Sequence, residues 1–181
     1  MVNVSAGPAA DLRDPCFGYS ASIGAGYHEK YWGARVDVTW NTLWSTASAN
    51  RPNHRHGFAD KTSNSGLMLL VHGYLPTSKR FIISLGAGIG LGARYENFSD
   101  APEIDRTTLS MDPSWLARFE TGALWIVGDF INTSDFFTIG FNMELNLGGY
   151  HLSELPRWLS DDEMDISLGF ILTVSYQSLV Y

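Results

Sequence analysis

Hydrophobic and small or polar residues alternate along most of the chain with a period of two. Over residues 81–95 the even positions are mostly glycine, and the odd positions carry Phe81, Ile83, Leu85, Ala87, Ile89, Leu91, Ala93 and Tyr95. Side chains two residues apart share one face of a strand, so this period predicts β-strands. Similar patterns predict further strands over residues 2–7, 17–27, 32–41, 66–75, 115–125, 137–147 and 166–176.

The connections between these strands alternate between short and long. Short ones lie at 28–31, 76–79 and 128–135, long ones lie at 45–65, 96–113 and 149–163, and the first turn falls within 7–15. An even number of strands brings both termini to one end and allows closure without free edges. We therefore predict an all-β fold, an eight-stranded antiparallel up-and-down transmembrane β-barrel in which residues 1–181 form a single domain.

Composition restricts the possible functions. Charged residues make up 17% of the 181 residues, below the share of about 25% usual in soluble domains. The net charge of -7 argues against a nucleic-acid partner, which requires a basic face. The single cysteine excludes an internal disulfide and a multi-cysteine zinc site. We predict no cofactor and no metal site.

The composition of the two strand faces indicates which of them points outward. The apolar face carries no charged residue, whereas the other face is rich in glycine and serine, which suits a narrow lumen. Aromatic residues near the strand ends predict two girdles at the edges of an apolar band. The predicted girdle residues are Tyr19, Tyr27, Trp32, Trp40, Tyr95, Trp115 and Trp125. A soluble barrel with an apolar lumen is the alternative, but its exterior would be dense in Lys, Glu and Thr.

Charged residues on the opposite face predict an ion-pair network in the lumen. Its members are Arg35, Asp37, Arg94, Arg118, Glu120 and Glu144, with His72 on the same face. An eight-stranded interior is just wide enough for side chains to fill, and the near balance of signs favours mutual pairing. We interpret the network as a plug, and a gated pore or proton path is the alternative.

These features resemble the small eight-stranded outer-membrane β-barrel proteins of Gram-negative bacteria. The resemblance implies a bacterial outer-membrane location, a monomer, and a structural or surface-interaction role through the external loops. It also implies contact with outer-membrane lipids, including lipopolysaccharide, and with the barrel-assembly machinery. Tyr181 looks like the C-terminal aromatic residue that this machinery recognises, and a bulge near Gln177 would reconcile its register with that of Tyr176.

An alternative function rests on a histidine and a serine after the seventh strand. The odd register places His151 and Ser153 on the lipid side at its external end. A histidine can activate a serine when an acid orients it. This arrangement resembles the lipid A deacylase family of small barrels, which implies Asp162 or Asp165 as the acid. Glu154 departs from the Asn that usually follows the serine in that family.

Overall fold

The computed structural model describes residues 1–12, 16–45, 61–97, 113–129, 135–149 and 165–178, which form a closed antiparallel barrel of eight strands. The strands are β1 (Val2–Asp11), β2 (Cys16–His28), β3 (Trp32–Ser45), β4 (Lys61–Ser78), β5 (Phe81–Asn97), β6 (Pro113–Asp129), β7 (Asp135–Gly149) and β8 (Asp165–Ser178). Each strand pairs with its sequence neighbours, and β8 closes the barrel on β1. The predicted fold class is confirmed.

The barrel has two distinct ends. We call the end that holds Met1 and the connections 29–31 and 79–80 the turn end, and the opposite end the loop end. The two register shifts among the described strands both lie near the turn end, between Pro76 and Ser78 and between Ile126 and Gly128. Within the described residues, no helix has the length and apolar character needed to cross a membrane.

Side chains alternate between solvent-exposed positions outside the barrel and buried positions in its lumen. On β3, Val36 and Val38 are exposed, whereas Arg35 and Asp37 are buried. The apolar face therefore points outward and the face that carries the charges points inward. This arrangement is the reverse of a soluble barrel with an apolar lumen.

The observed β1 and β4 are longer than the sequence predicts. β1 continues past residue 7 to Asp11, and Pro8 lies opposite Tyr19 of β2. Proline has no N–H to donate, and the pairing between β1 and β8 skips residues 7 and 8. β4 begins at Lys61 rather than at residue 66, because backbone pairing continues where both faces of a strand are polar and alternation fades.

One further boundary is corrected, and the register at the end of β8 is defined. β4 and β5 are joined through residues 79–80 rather than 76–79, because the bulge between Pro76 and Ser78 lengthens β4 by accommodating an extra residue. Within the described residues, β8 keeps one register against β7 through Ser178, so no bulge near Gln177 reconciles the two registers, and Gln177 remains in the lumen. Tyr181 lies outside the described residues.

Candidate functional site

Polar and apolar side chains are unevenly distributed around the lumen. Polar side chains from β1, β2, β7 and β8 line one side, and they include Asn3, Ser5, Ser20, Ser22, Thr138, Asn142, Thr173, Ser175 and Gln177. Apolar side chains from β4, β5 and β6 line the other side, and they include Met68, Leu70, Ile82, Leu116 and Leu124. The buried arginines and carboxylates, together with His72, extend from β3, β4, β6 and β7, so the closed lumen brings them together across the barrel.

Arg35 joins two carboxylates from different strands. Its Nε donates to both carboxylate oxygens of Asp37 at 2.8 and 2.9 Å, and its Nη2 lies 3.2 Å from both oxygens of Glu120. Arg35 is 5% exposed and Asp37 is fully buried. Charge-assisted hydrogen bonds of this kind are stronger than neutral ones, and those to Glu120 connect β3 to β6.

Glu120 also receives His72 from β4, whose Nδ1 lies 3.0 Å from Glu120 Oε1. Because an ionised carboxylate only accepts hydrogen bonds, we place a proton on His72 Nδ1. Glu120 of β6 therefore contacts two other strands: β3 through the Arg35 guanidinium and β4 through the His72 imidazole.

A second group of contacts is centred on Arg118 of β6. Its Nη1 lies 3.4 Å from Glu144 Oε1, and its Nε donates to Asn146 Oδ1 at 2.7 Å. The Ser20 hydroxyl donates to the other oxygen of Glu144 at 3.4 Å. Because Glu120 and Glu144 are cross-strand neighbours, the two groups of contacts are adjacent.

Glycines make room for these charged side chains. A Cβ at Gly86 would lie 2.6 Å from His72 Nδ1 and 2.8 Å from Glu120 Cγ. A Cβ at Gly24 would overlap the Asp37 carboxylate. The glycine pattern of the inward face is therefore part of the site, because it provides the volume that the charges occupy.

Five of the six predicted network residues lie together in the described lumen. The sequence does not show how they pair: Arg118 contacts Glu144, whereas Glu120 contacts Arg35 and His72. Arg94 lies in β5 opposite Asn64, but its side chain is outside the described part of the chain. The sequence interpretation missed Asn146 and Ser20, whose inward register was the available signal.

Aromatic and apolar side chains fill the lumen near the turn end. The His28 and Tyr74 rings meet edge to face with centroids 4.6 Å apart, and Tyr74 packs with Ile82 and Leu124. The described lumen includes a small cavity of about 10 Å³ lined by Arg35 and Glu120 and another of about 30 Å³ lined by Arg118. Cavities of this size hold about one or two waters.

The predicted girdle residues lie mainly on the outer surface. Those with exposed side chains are Tyr19, Tyr27, Trp32, Trp40 and Trp125, whereas Trp115 is half-buried. Tyr95 lies in β5 with its side chain outside the described part of the chain. Trp44 packs against Tyr19 and Phe81 packs against Trp125, with ring centroids 5.6 and 4.9 Å apart.

The candidate esterase residues lie largely outside the described residues, and these include His151, Ser153 and Asp162. The backbone of Asp165 begins β8 opposite Gly148, although its side chain is not described. Paired residues of neighbouring strands share a face, and Gly148 lies on the lumen side, so Asp165 occupies a lumen-facing register position. The esterase assignment stays a prediction.

The fold has a counterpart among solved structures. The chain is similar to the crystal structure of Neisserial surface protein A (NspA), with a TM-score of 0.61 and 15% sequence identity, over 96% of this chain and 92% of that chain. No family model and no curated protein matches the chain. NspA is an eight-stranded outer-membrane β-barrel, so the resemblance to such barrels is confirmed at the level of the fold.

Proposed function

We propose that this protein is an integral barrel of the bacterial outer membrane with a lumen closed by side chains. In this proposal it has a structural or surface-interaction role through the loops at its loop end. The observation that carries the proposal is the separation of charge and apolar surface, with Arg35, Asp37 and Glu144 buried inside and large apolar side chains exposed outside.

The outer surface supports insertion into a membrane. Leu85 and Ile89 of β5 and Phe141 of β7 are 63%, 72% and 64% exposed. Soluble monomers rarely expose contiguous apolar patches larger than a few hundred Å². A lipid environment removes this apolar area from water, and the closed barrel satisfies the backbone hydrogen bonds that lipid cannot.

The paired charges support a closed lumen. A conducting pore needs a continuous wet path, whereas Arg35 spans the lumen from β3 to Glu120 on β6. Arg118 adds a second ion pair with Glu144. Breaking a buried pair leaves an uncompensated charge, so this arrangement opposes opening.

A closed lumen leaves the ends of the barrel as its working surfaces. The proposed partners are outer-membrane lipids, including lipopolysaccharide, along the apolar face, and the barrel-assembly machinery during insertion. The chain would act as a monomer, because each strand of the closed barrel is already paired on both sides.

Refolding tests the proposal directly. The protein should fold only in detergent or lipid and should migrate differently on a denaturing gel before and after boiling. Planar-bilayer recordings of the folded protein should show no steady ohmic conductance. A folded monodisperse monomer without detergent would overturn membrane insertion, and stable single-channel steps would overturn the closed lumen.

A further inference from the structure

The turn between β2 and β3 holds an exposed carboxylate in a fixed position. Glu29 Oε1 accepts a hydrogen bond of 2.7 Å from the Tyr27 hydroxyl, and Glu29 Oε2 accepts one of 2.9 Å from Trp32 Nε1. The Glu29 amide also donates to the Trp32 carbonyl at 2.8 Å. Two aromatic side chains and the backbone thus orient a charged group that is otherwise surrounded by solvent.

The charge of Glu29 is not compensated by the groups that hold it. Both side-chain donors are neutral, and the described part of the chain provides no cation within ion-pair distance of this carboxylate. Neighbouring Lys30 lies instead over the Tyr31 ring, with Nζ 5.1 Å from its centroid. The turn therefore presents a negative and a positive group separately.

Space is available beside the aromatic pair. The Tyr27 and Trp32 rings are tilted by 52° with centroids 5.6 Å apart. On the other side of Trp32, its β4 partner is Gly73, where a Cβ would meet only the Leu85 carbonyl oxygen, at 4.0 Å. One flank of the Trp32 side chain therefore faces an outer surface without an intervening side chain.

We propose that this turn binds the head group of a zwitterionic phospholipid that carries a primary ammonium and a phosphate. The lipid ammonium lies beside the Glu29 carboxylate and against the Tyr27 and Trp32 rings, where charge attraction and cation–π contact act together. The Lys30 ammonium takes the lipid phosphate. The inference rests on the proposed membrane insertion, which puts the girdle aromatics at head-group level.

The charge pattern distinguishes this lipid from an anionic one. A phosphatidylglycerol head group offers a phosphate for Lys30 but has no ammonium for Glu29, which would repel its net negative charge. The turn through residues 79–80 lies at the same end and carries Lys79 and Arg80 with no acidic residue. That turn provides a matched control, because it has a lysine without a clamped carboxylate.

Native mass spectrometry of the folded chain from micelles with equal amounts of phosphatidylethanolamine and phosphatidylglycerol tests the site. We expect about a three-fold excess of phosphatidylethanolamine adducts, in line with an exposed cation–π and ion contact. Glu29→Gln, which keeps an acceptor oxygen and removes the charge, should abolish the excess. Lys79→Gln should leave it unchanged.

The outcomes separate the head-group site from the proposed function. A heat-modifiable, folded barrel that retains both lipids equally, or that prefers phosphatidylglycerol, would overturn the site alone. Persistence of the phosphatidylethanolamine excess in folded Glu29→Gln would also overturn it. A chain that folds as a monomer without detergent would overturn membrane insertion, and the site with it.

Discussion

Replacing Arg35 by methionine tests whether paired charges stabilise the lumen. Methionine keeps much of the side-chain length and removes the guanidinium, which bonds Asp37 at 2.8 and 2.9 Å and Glu120 at 3.2 Å. Asp37 is fully buried and loses both of these contacts, whereas Glu120 keeps His72. Removing one partner of a buried pair typically costs about 3–5 kcal/mol, and we expect a loss of that size in the free energy of unfolding.

The assay is urea unfolding in lipid vesicles, followed by tryptophan fluorescence and by the shift of the unboiled gel band. Arg80→Met is the matched control, because it removes the same group from an exposed turn and should change stability by less than about 0.5 kcal/mol. The double variant Arg35→Met with Asp37→Leu removes both charges, so it should lose less stability than Arg35→Met alone. Equal stabilities for the Arg35 and Arg80 variants would refute the reasoning, as would a double variant less stable than Arg35→Met.

Three further predictions address the outer face, the lumen glycines and the alternative enzyme. Leu85→Arg should cost about 2–4 kcal/mol in a bilayer, measured by urea unfolding, and refolding as readily as the parent chain would contradict a lipid-facing surface. Gly86→Ala should lose about 1–3 kcal/mol in the same assay, because its Cβ would crowd His72 and Glu120, whereas Gly128→Ala has nothing within 4 Å and should be neutral. Equal effects of the two glycine variants would argue against crowding. The folded protein should release no acyl chains from lipid A with calcium present, and release that disappears in both Ser153→Ala and His151→Ala would establish the esterase instead.

The alternation of apolar with small or polar side chains allowed the fold to be predicted from the sequence. On β5, apolar residues at odd positions and glycines at even positions predicted a strand with two unlike faces, and the structure shows Leu85 and Ile89 outside the barrel. The signal is strong because a strand between lipid and a narrow lumen needs opposite chemistry at successive residues. The alternation did not predict the start of β4 at Lys61, because the residues there are polar at successive positions and show no period of two.

A proline and a β-bulge also made the predicted ends of β1 and β4 inaccurate. The first turn was predicted within residues 7–15, yet β1 continues through Pro8, which is accommodated because the β1–β8 ladder skips that position. The bulge at Pro76 and Ser78 extended β4 past residue 75, where the predicted strand ended. Both features depend on the hydrogen bonds of the neighbouring strand, which a single strand's pattern does not contain.

The sequence by itself determined which residues face the lumen, because the inward parity of each strand is a local property. It placed Arg35, Glu120 and Glu144 on that face, but it left the choice of partners open. Only the tertiary structure decided that Arg35 contacts Glu120, 85 positions away, and that Arg118 contacts Glu144. The physical reason is that strand stagger and barrel closure set which side chains meet across the lumen, and these are properties of all eight strands together.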